Sequence, residues 1–367
     1  MPTRTQSAAA ASARVRRIVG ANSSNSCFFR SAVNGDGRKA LVQITERCNL
    51  HCAHCFVSST RHGADLSLAD CRDLIFPRLR DARVERLTLT GGEPFIHPAI
   101  LEIVEVAVES EMSVGICTNA TRISDKQIDH LRSLGSVHIN VSFDGFRAES
   151  HGRFRGDVAS FDTSVETTRR LAAAGLLQGL LSTPNSFTTD ADYRELTRFG
   201  VELGADYLLM NPLSAFGRGA RSQRRLGANS EKMSAIAEAA TTAAQGELEI
   251  VPIRFPNETK PLAPCIAGDI VYVFADGAVA VCPYLVFAAR TAASKYSDSE
   301  FIVGNILETD IAAALDNYHF HERFKVGSNA TCSSCALTDS CGKGCPAAVI
   351  AEGGLIGDRD VDPCPVP

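Results

Sequence analysis

Three cysteines, Cys48, Cys52 and Cys55, stand in a C-x3-C-x2-C spacing directly after a β-type run at 40–44. Three thiolates on one tight loop can hold three irons of a cubane cluster and leave the fourth without a protein ligand. An iron with a vacant position can bind and reduce another molecule, so the spacing points to a catalytic cluster. A zinc knuckle is the competing reading, since zinc sites close with four ligands and His51 or His54 could supply one. Further on, 35 residues separate Cys55 from Gly91-Gly92-Glu93-Pro94. A glycine pair lets backbone carbonyls approach a ligand closely, and a carboxylate accepts a charge-assisted bond from an ammonium.

A second constellation lies near the C-terminus. Cys332-x2-Cys335-x5-Cys341-x3-Cys345 is followed by Cys364. Upstream, eleven residues separate Cys265 from Gly277, and four more separate Gly277 from Cys282. The chain has 13 cysteines in 367 residues, and its first forty residues contain no apolar signal region. Clustered cysteines without a secretory signal read as metal ligands rather than disulfides. A reducing, cytoplasmic compartment is expected. A net charge of −5 excludes a general affinity for nucleic acid, and no apolar run reaches the ~18 residues that span a bilayer. Of the cysteines outside these groups, Cys71 sits on an apolar-patterned helix and reads as core packing, and Cys27 falls in a stretch without pattern.

These residues need a frame. Strand-like runs occur at 40–44, 84–90, 113–118, 137–143, 176–183 and 207–211. Between them, 68–79, 98–108, 125–134, 161–173 and 190–203 carry apolar residues at helical spacing, with Ser67, Ser124 and Asp190 as expected N-caps and Gly135, Gly175 and Gly204 as expected stops. Six βα units predict an α/β fold, a partial (β/α)6 TIM-type barrel with a parallel sheet. Chemistry in such folds sits at the C-terminal ends of the strands. The cysteine loop, Gly91–Pro94, Thr118-Asn119, Ser142–Gly145 and Met210–Pro212 all fall there. The expected organisation is a poorly structured extension over 1–39, a barrel with a linker helix over 40–261, and a cysteine-rich domain over 262–367.

The first cysteine motif, with Phe56 next to it, resembles the signature of the radical S-adenosylmethionine superfamily. The resemblance implies that Cys48, Cys52 and Cys55 ligate a catalytic [4Fe–4S] cluster. It implies that Gly91, Gly92, Glu93, Asn119, Ser142, Asp144 and Arg155 contact S-adenosylmethionine, with Arg155 on the methionine carboxylate and Arg153 as its alternative. The seven later cysteines resemble the SPASM extension, which houses two auxiliary [4Fe–4S] clusters and brings the total to three. By that resemblance Cys332, Cys335, Cys341 and Cys364 hold the distal cluster. Cys265, Cys282 and Cys345 hold the proximal one, which is one thiolate short. Asp269, Asp276 or an open, substrate-accessible iron would complete it.

The resemblance implies reductive cleavage of S-adenosylmethionine and hydrogen-atom abstraction by the 5′-deoxyadenosyl radical. An electron donor such as flavodoxin or ferredoxin is implied as a partner. Arg155-Gly156, Ser160-Phe161-Asp162, Gly217-Arg218-Gly219 and Cys341–Pro346 look most like the pyrroloquinoline quinone and mycofactocin maturases, which modify ribosomally made peptides. The alternative substrate is a small molecule such as an aminoglycoside, sugar or nucleoside intermediate. Only 47 residues precede Cys48, short for a built-in peptide-recognition domain, which favours the small-molecule alternative; a peptide substrate could still be served by a separate recognition protein, as in some peptide maturases. Cys117, one residue before the end of strand three, could face the barrel lumen and return a hydrogen atom to a substrate radical. Its plainer reading is a small buried hydrophobe.

Overall fold

The computed structural model describes residues 23–28, 33 and 37–366. Most of the expected N-terminal extension therefore lies outside the described residues. Six strands form where apolar runs place them: β1 Arg38–Thr45, β2 Val84–Gly91, β3 Ser113–Thr118, β4 Val137–Ser142, β5 Leu177–Ser182 and β6 Tyr207–Met210. Each pairs in parallel with the next. Alternation sorts their side chains. In β3, Val114 and Ile116 are fully buried on one face, while Ser113, Gly115 and Cys117 line the lumen, joined at the strand's end by Thr118.

The helices return over the sheet. Asp125–Leu134 starts on a capping box between Ser124 and Gln127 and stops at Gly135. Asp190–Glu202 is capped by Thr189, not Asp190: the Thr189 side chain accepts from the Asp192 amide, and Asp192 accepts from the Thr189 amide. The predicted helix over 68–79 forms as Leu68–Asp70 and Phe76–Asp81, joined by a π turn over Cys71–Ile75. Pro77 lacks the amide that would close a regular turn there. Cys71 is fully buried in that turn, as its core reading expected.

The sheet is wider than six strands. β7 Glu249–Pro252 joins in parallel beside β6. β8 Ile270–Val273 joins in parallel beside β1, and β9 Ala278–Ala280 and β10 Ile302–Asn305 continue it antiparallel. The order is β10-β9-β8-β1-β2-β3-β4-β5-β6-β7, an incomplete barrel whose edge carries the cysteine-rich C-terminal region. Composition changes near residue 262, but the sheet runs across that point. Helices Gly219–Leu226 and Ser230–Ala244 connect β6 to β7.

Candidate active site

The cysteine loop leaves β1 at its C-terminal end and is held on every side. The Cys48 amide donates to Thr60 O (2.6 Å) and the Ala53 amide to Phe154 O (3.0 Å). Asn49 Nδ2 donates to Thr121 Oγ1 at 2.8 Å. The end of β2 fits beneath it. The Gly92 and Glu93 amides donate to Thr45 O (2.8 Å) and Arg47 O (2.9 Å), and a Cβ on Gly92 would collide with the Arg47 carbonyl and stand 2.9 Å from Cys48 Cβ. The glycine pair therefore admits the cysteine loop itself. Gly92→Ala is expected to displace the loop backbone and lower reconstituted iron by about four atoms per chain. Iron analysis and the 400 nm absorbance would check this, and full loading would refute it.

Arg218 completes the clamp. Its Nε donates to Cys52 O (2.8 Å), its Nη1 to Ser59 O (2.6 Å) and its amide to Cys55 O (3.0 Å). Ser222 Oγ adds a bond to Ala53 O at 2.7 Å. Gly217 holds a left-handed φ of 51°, where a Cβ would crowd the Phe56 carbonyl. Sequence reasoning noted this arginine only within Gly217-Arg218-Gly219, one of the stretches that resemble the maturases, and gave it no role. Its role leaves no spacing signal, because it reaches backbone carbonyls more than 150 residues away.

The loop faces a cavity of about 380 Å³. Cys48, Cys52, Cys55, Gly91, Gly92, Asn119, Ser142, Asp144, Arg155 and Cys117 all line it. Glu93 does not. Its buried carboxylate accepts from Thr118 Oγ1 (2.6 Å), the Asn119 amide (2.8 Å) and the Phe95 amide (3.1 Å). Burial raises its pKa, and these donors oppose the rise. Glu93 thus ties the end of β2 to the end of β3 and positions Asn119, whose Nδ2 donates to Asn49 Oδ1 at 3.1 Å.

Asp144 and Arg155 meet each other. Arg155 Nε stands 2.9 Å from Asp144 Oδ2, and both side chains are buried. Burial disfavours the Asp144 charge, but the guanidinium and the Thr183 amide (2.8 Å) outweigh it and hold its carboxyl below the usual range. His54 stacks on Phe154 at 4.8 Å with Nδ1 3.7 Å from Asp144 Oδ2, and burial pushes its pKa down to about 4. Arg155 Nε, Asp144 Oδ2, His54 Nδ1 and Asn211 Oδ1 lack an aligned hydrogen-bond partner. Arg155 and Asp144 satisfy each other as an ion pair, whereas a buried orphan such as Asn211 Oδ1 is costly, and all four residues line the cavity beside the cysteine loop. They suit a zwitterionic, hydroxyl-bearing ligand such as S-adenosylmethionine.

The three thiols fit a cluster. Cys48, Cys52 and Cys55 pack together around Leu50, and the Leu50 amide donates to Cys48 Sγ at 3.4 Å. Burial raises the Cys48 and Cys52 thiols to about 11 and 12. Among the described residues no three His, Cys, Asp or Glu side chains gather closely enough for a single metal ion. A zinc ion needs its thiolates about 2.3 Å from one point, whereas a cubane spreads them over separate irons. Cys117 lines the cavity, and burial raises its thiol to about 11.

Both C-terminal cysteine groups carry amide donors. Leu337 and Lys343 amides donate to Cys335 Sγ and Cys341 Sγ at 3.4 Å each. The Tyr284 and Leu285 amides point at Cys282, and the Ala267 amide at Cys265. Phe56 packs on Tyr284 (5.7 Å) and Phe287 (5.2 Å), which connects the first cysteine loop to the segment following Cys282. Cys364 lies in a tail anchored by Asn257 Nδ2 on Pro363 O at 2.9 Å.

Comparison with known proteins agrees with this geometry. Residues 42–199 match the sequence profile of the Radical SAM superfamily. Mycofactocin maturase MftC of Mycobacterium tuberculosis is 28% identical over 319 residues, covering 85% of this chain and 78% of that one. The subtilosin biosynthesis protein AlbA of Bacillus subtilis is 24% identical, covering 82% of this chain and 64% of that one. Streptococcus suis SuiB bound to its precursor peptide SuiA superposes with a TM-score of 0.72 at 17% identity, over 89% of this chain and 76% of that one. With the cysteine loop, the glycine-pair turn and the barrel in one arrangement, residues 42–199 match the Radical SAM superfamily, and the chain is similar to mycofactocin maturase MftC and to the subtilosin biosynthesis protein AlbA.

Proposed function

We propose that this chain is a radical S-adenosylmethionine oxidoreductase that removes a hydrogen atom from an unactivated C–H bond of a ribosomally made peptide. The cysteine loop, seated on Gly91-Gly92 and open to the cavity, carries the reading. When bound, a [4Fe–4S] cluster with S-adenosylmethionine supplies reductive sulfonium cleavage and hydrogen-atom abstraction. Cys48, Cys52 and Cys55 would hold three irons, and Arg218 and Ser222 keep their loop fixed. Asp144, Arg155, His54 and Asn211 offer the polar atoms that bind and orient the cofactor, with Ser142 and Asn119 at the neighbouring strand ends. Phe28, Phe56, Phe216 and Tyr284, in mutual ring contact at the cavity wall, exclude water. Cys117 stays protonated at neutral pH and keeps an S–H hydrogen facing the lumen.

The peptide substrate rests on the relatives: MftC and AlbA carry maturase and bacteriocin-biosynthesis names, and SuiB was solved with its precursor peptide. Two auxiliary clusters, at Cys332, Cys335, Cys341 and Cys364 and around Cys265, Cys282 and Cys345, would pass electrons to or from the cavity. A flavodoxin or ferredoxin would donate the first electron, a separate protein would present the peptide, and a reducing cytoplasm would keep the clusters intact. Among the described residues no helix is long and apolar enough to cross a membrane.

The test incubates the reconstituted enzyme with S-adenosylmethionine, dithionite and either a precursor peptide encoded beside it or aminoglycoside and nucleoside intermediates. A peptide-dependent rise in 5′-deoxyadenosine supports the reading, and a rise only with a small molecule overturns its substrate. In D2O, Cys117→Ala is expected to lower deuterium delivery to the product by about tenfold or more, and 5′-deoxyadenosine formation by much less. Equal losses would remove Cys117 from the chemistry.

A further inference from the structure

Cys27 had no role in the sequence, yet the fold carries it to the proximal auxiliary site. Its thiol lies 3.4 Å from both Pro264 O and Gly344 O, the carbonyls immediately preceding Cys265 and Cys345. It stands within electrostatic range of the Cys345 and Cys265 sulfurs. Cys265 is in turn within range of Cys282 and Cys345, and Cys282 within range of Cys345. The amide of Phe28, next to Cys27, points at the Cys345 sulfur, matching the amides of Ala267, Tyr284 and Leu285 on the other two thiols.

The segment that delivers Cys27 is built for the purpose. The Ser24 amide donates to Pro261 O (2.9 Å), the Ala263 amide to Ser24 O (3.3 Å) and the Arg254 amide to Asn25 O (2.7 Å). Ser26 Oγ donates to Ala263 O at 3.2 Å, and Arg254 Nη1 to Ser26 O at 3.0 Å. Phe28 then stacks on Tyr284 at 4.8 Å. The carboxylates that sequence spacing offered instead are solvent-exposed, although Asp269 is within electrostatic range of Cys265. Asp276 is exposed and accepts from the Ala278 amide in the β8–β9 turn, and Asp269 is exposed near Arg38 and His321.

We propose that Cys27 is the fourth thiolate ligand of the proximal auxiliary [4Fe–4S] cluster, completing Cys265, Cys282 and Cys345. The inference rests on the auxiliary-cluster reading above. It replaces the open, substrate-accessible iron with a closed cluster suited to electron transfer. A lone buried cysteine would carry none of this: Cys71, also buried, has no cysteine among the groups acting on it.

The test uses the full chain with Cys48, Cys52 and Cys55 changed to alanine, so that only auxiliary iron remains, about eight atoms per chain. In that background Cys27→Ser is expected to change the g-values of one of two reduced electron-paramagnetic signals and shift its midpoint potential, while Cys71→Ser changes neither. Unchanged signals in Cys27→Ser overturn the proposal. A background without iron sinks the auxiliary-cluster reading itself, so the two failures are distinct. A measurement without any Cys27 variant guards against misfolding. In the anaerobic iron-loaded protein, iodoacetamide is expected to spare Cys27 and to label it once a chelator has removed the iron. Equal labelling before and after, or a Cys27–Cys345 disulfide in the loaded protein, overturns the assignment.

Discussion

Alanine at Cys48, Cys52 and Cys55 together is expected to remove about four irons per chain. 5′-Deoxyadenosine formation should fall to the buffer background, more than about a thousandfold. The effect is large because the three thiols form one unit. They pack on each other around Leu50, on a loop that Thr60, Phe154, Thr121 and Arg218 hold from four directions. No other cysteine among the described residues lies on that loop to take over a lost position. The surrounding protein should survive the change, since the barrel core of β1 to β6 is closed without these side chains: Ala40, Val42 and Ile44 beneath the loop are fully buried. Circular dichroism should therefore match the wild type while cofactor cleavage disappears. Cleavage that persists with substrate absent would place the electron entry elsewhere and refute the assignment.

The barrel strands and the first site were readable because they depend on local order. Val84–Gly91 and Ser113–Thr118 are β-type runs of ordinary strand length, and the C-x3-C-x2-C spacing lies within eight residues. What escaped depends on contacts between distant segments. β7 has four residues and ends in Pro252, too short for periodicity to register. β8 looks like any short apolar run, and only its pairing with β1 makes it part of the barrel sheet. Glu93 was expected on a ligand ammonium, but Thr118, Asn119 and Phe95 use most of its lone pairs. Gly92 was assigned to ligand approach, while its missing Cβ makes room for Arg47. Arg218 and Cys27 work across 159 and 317 residues respectively, and nothing in their neighbours announces it.

Arg254→Met is expected to destabilise the C-terminal region by about 3–5 kcal/mol, because it leaves a buried carboxylate without its partner. Arg254 Nη1 and Nη2 grip Asp360 Oδ2 and Oδ1 at 2.6 and 2.9 Å, with both side chains almost fully buried. The same Asp360 oxygen accepts from the Cys345 amide at 2.8 Å. The guanidinium also donates to Ser26 O and lies 5.1 Å from the Phe28 ring centroid. One side chain therefore joins the segment bearing Cys27 to the carboxylate that positions Cys345. Its loss should loosen both ends of the proximal site, so thermal unfolding should begin earlier and iron should leave to a chelator sooner. Pairing it with Asp360→Leu removes the uncompensated charge, and stability should recover by most of the loss. Chelator resistance should not recover, because Ser26 and the Cys345 amide still lack their partners. If the double variant regains both, the ion pair serves stability alone and has no part in holding the cluster.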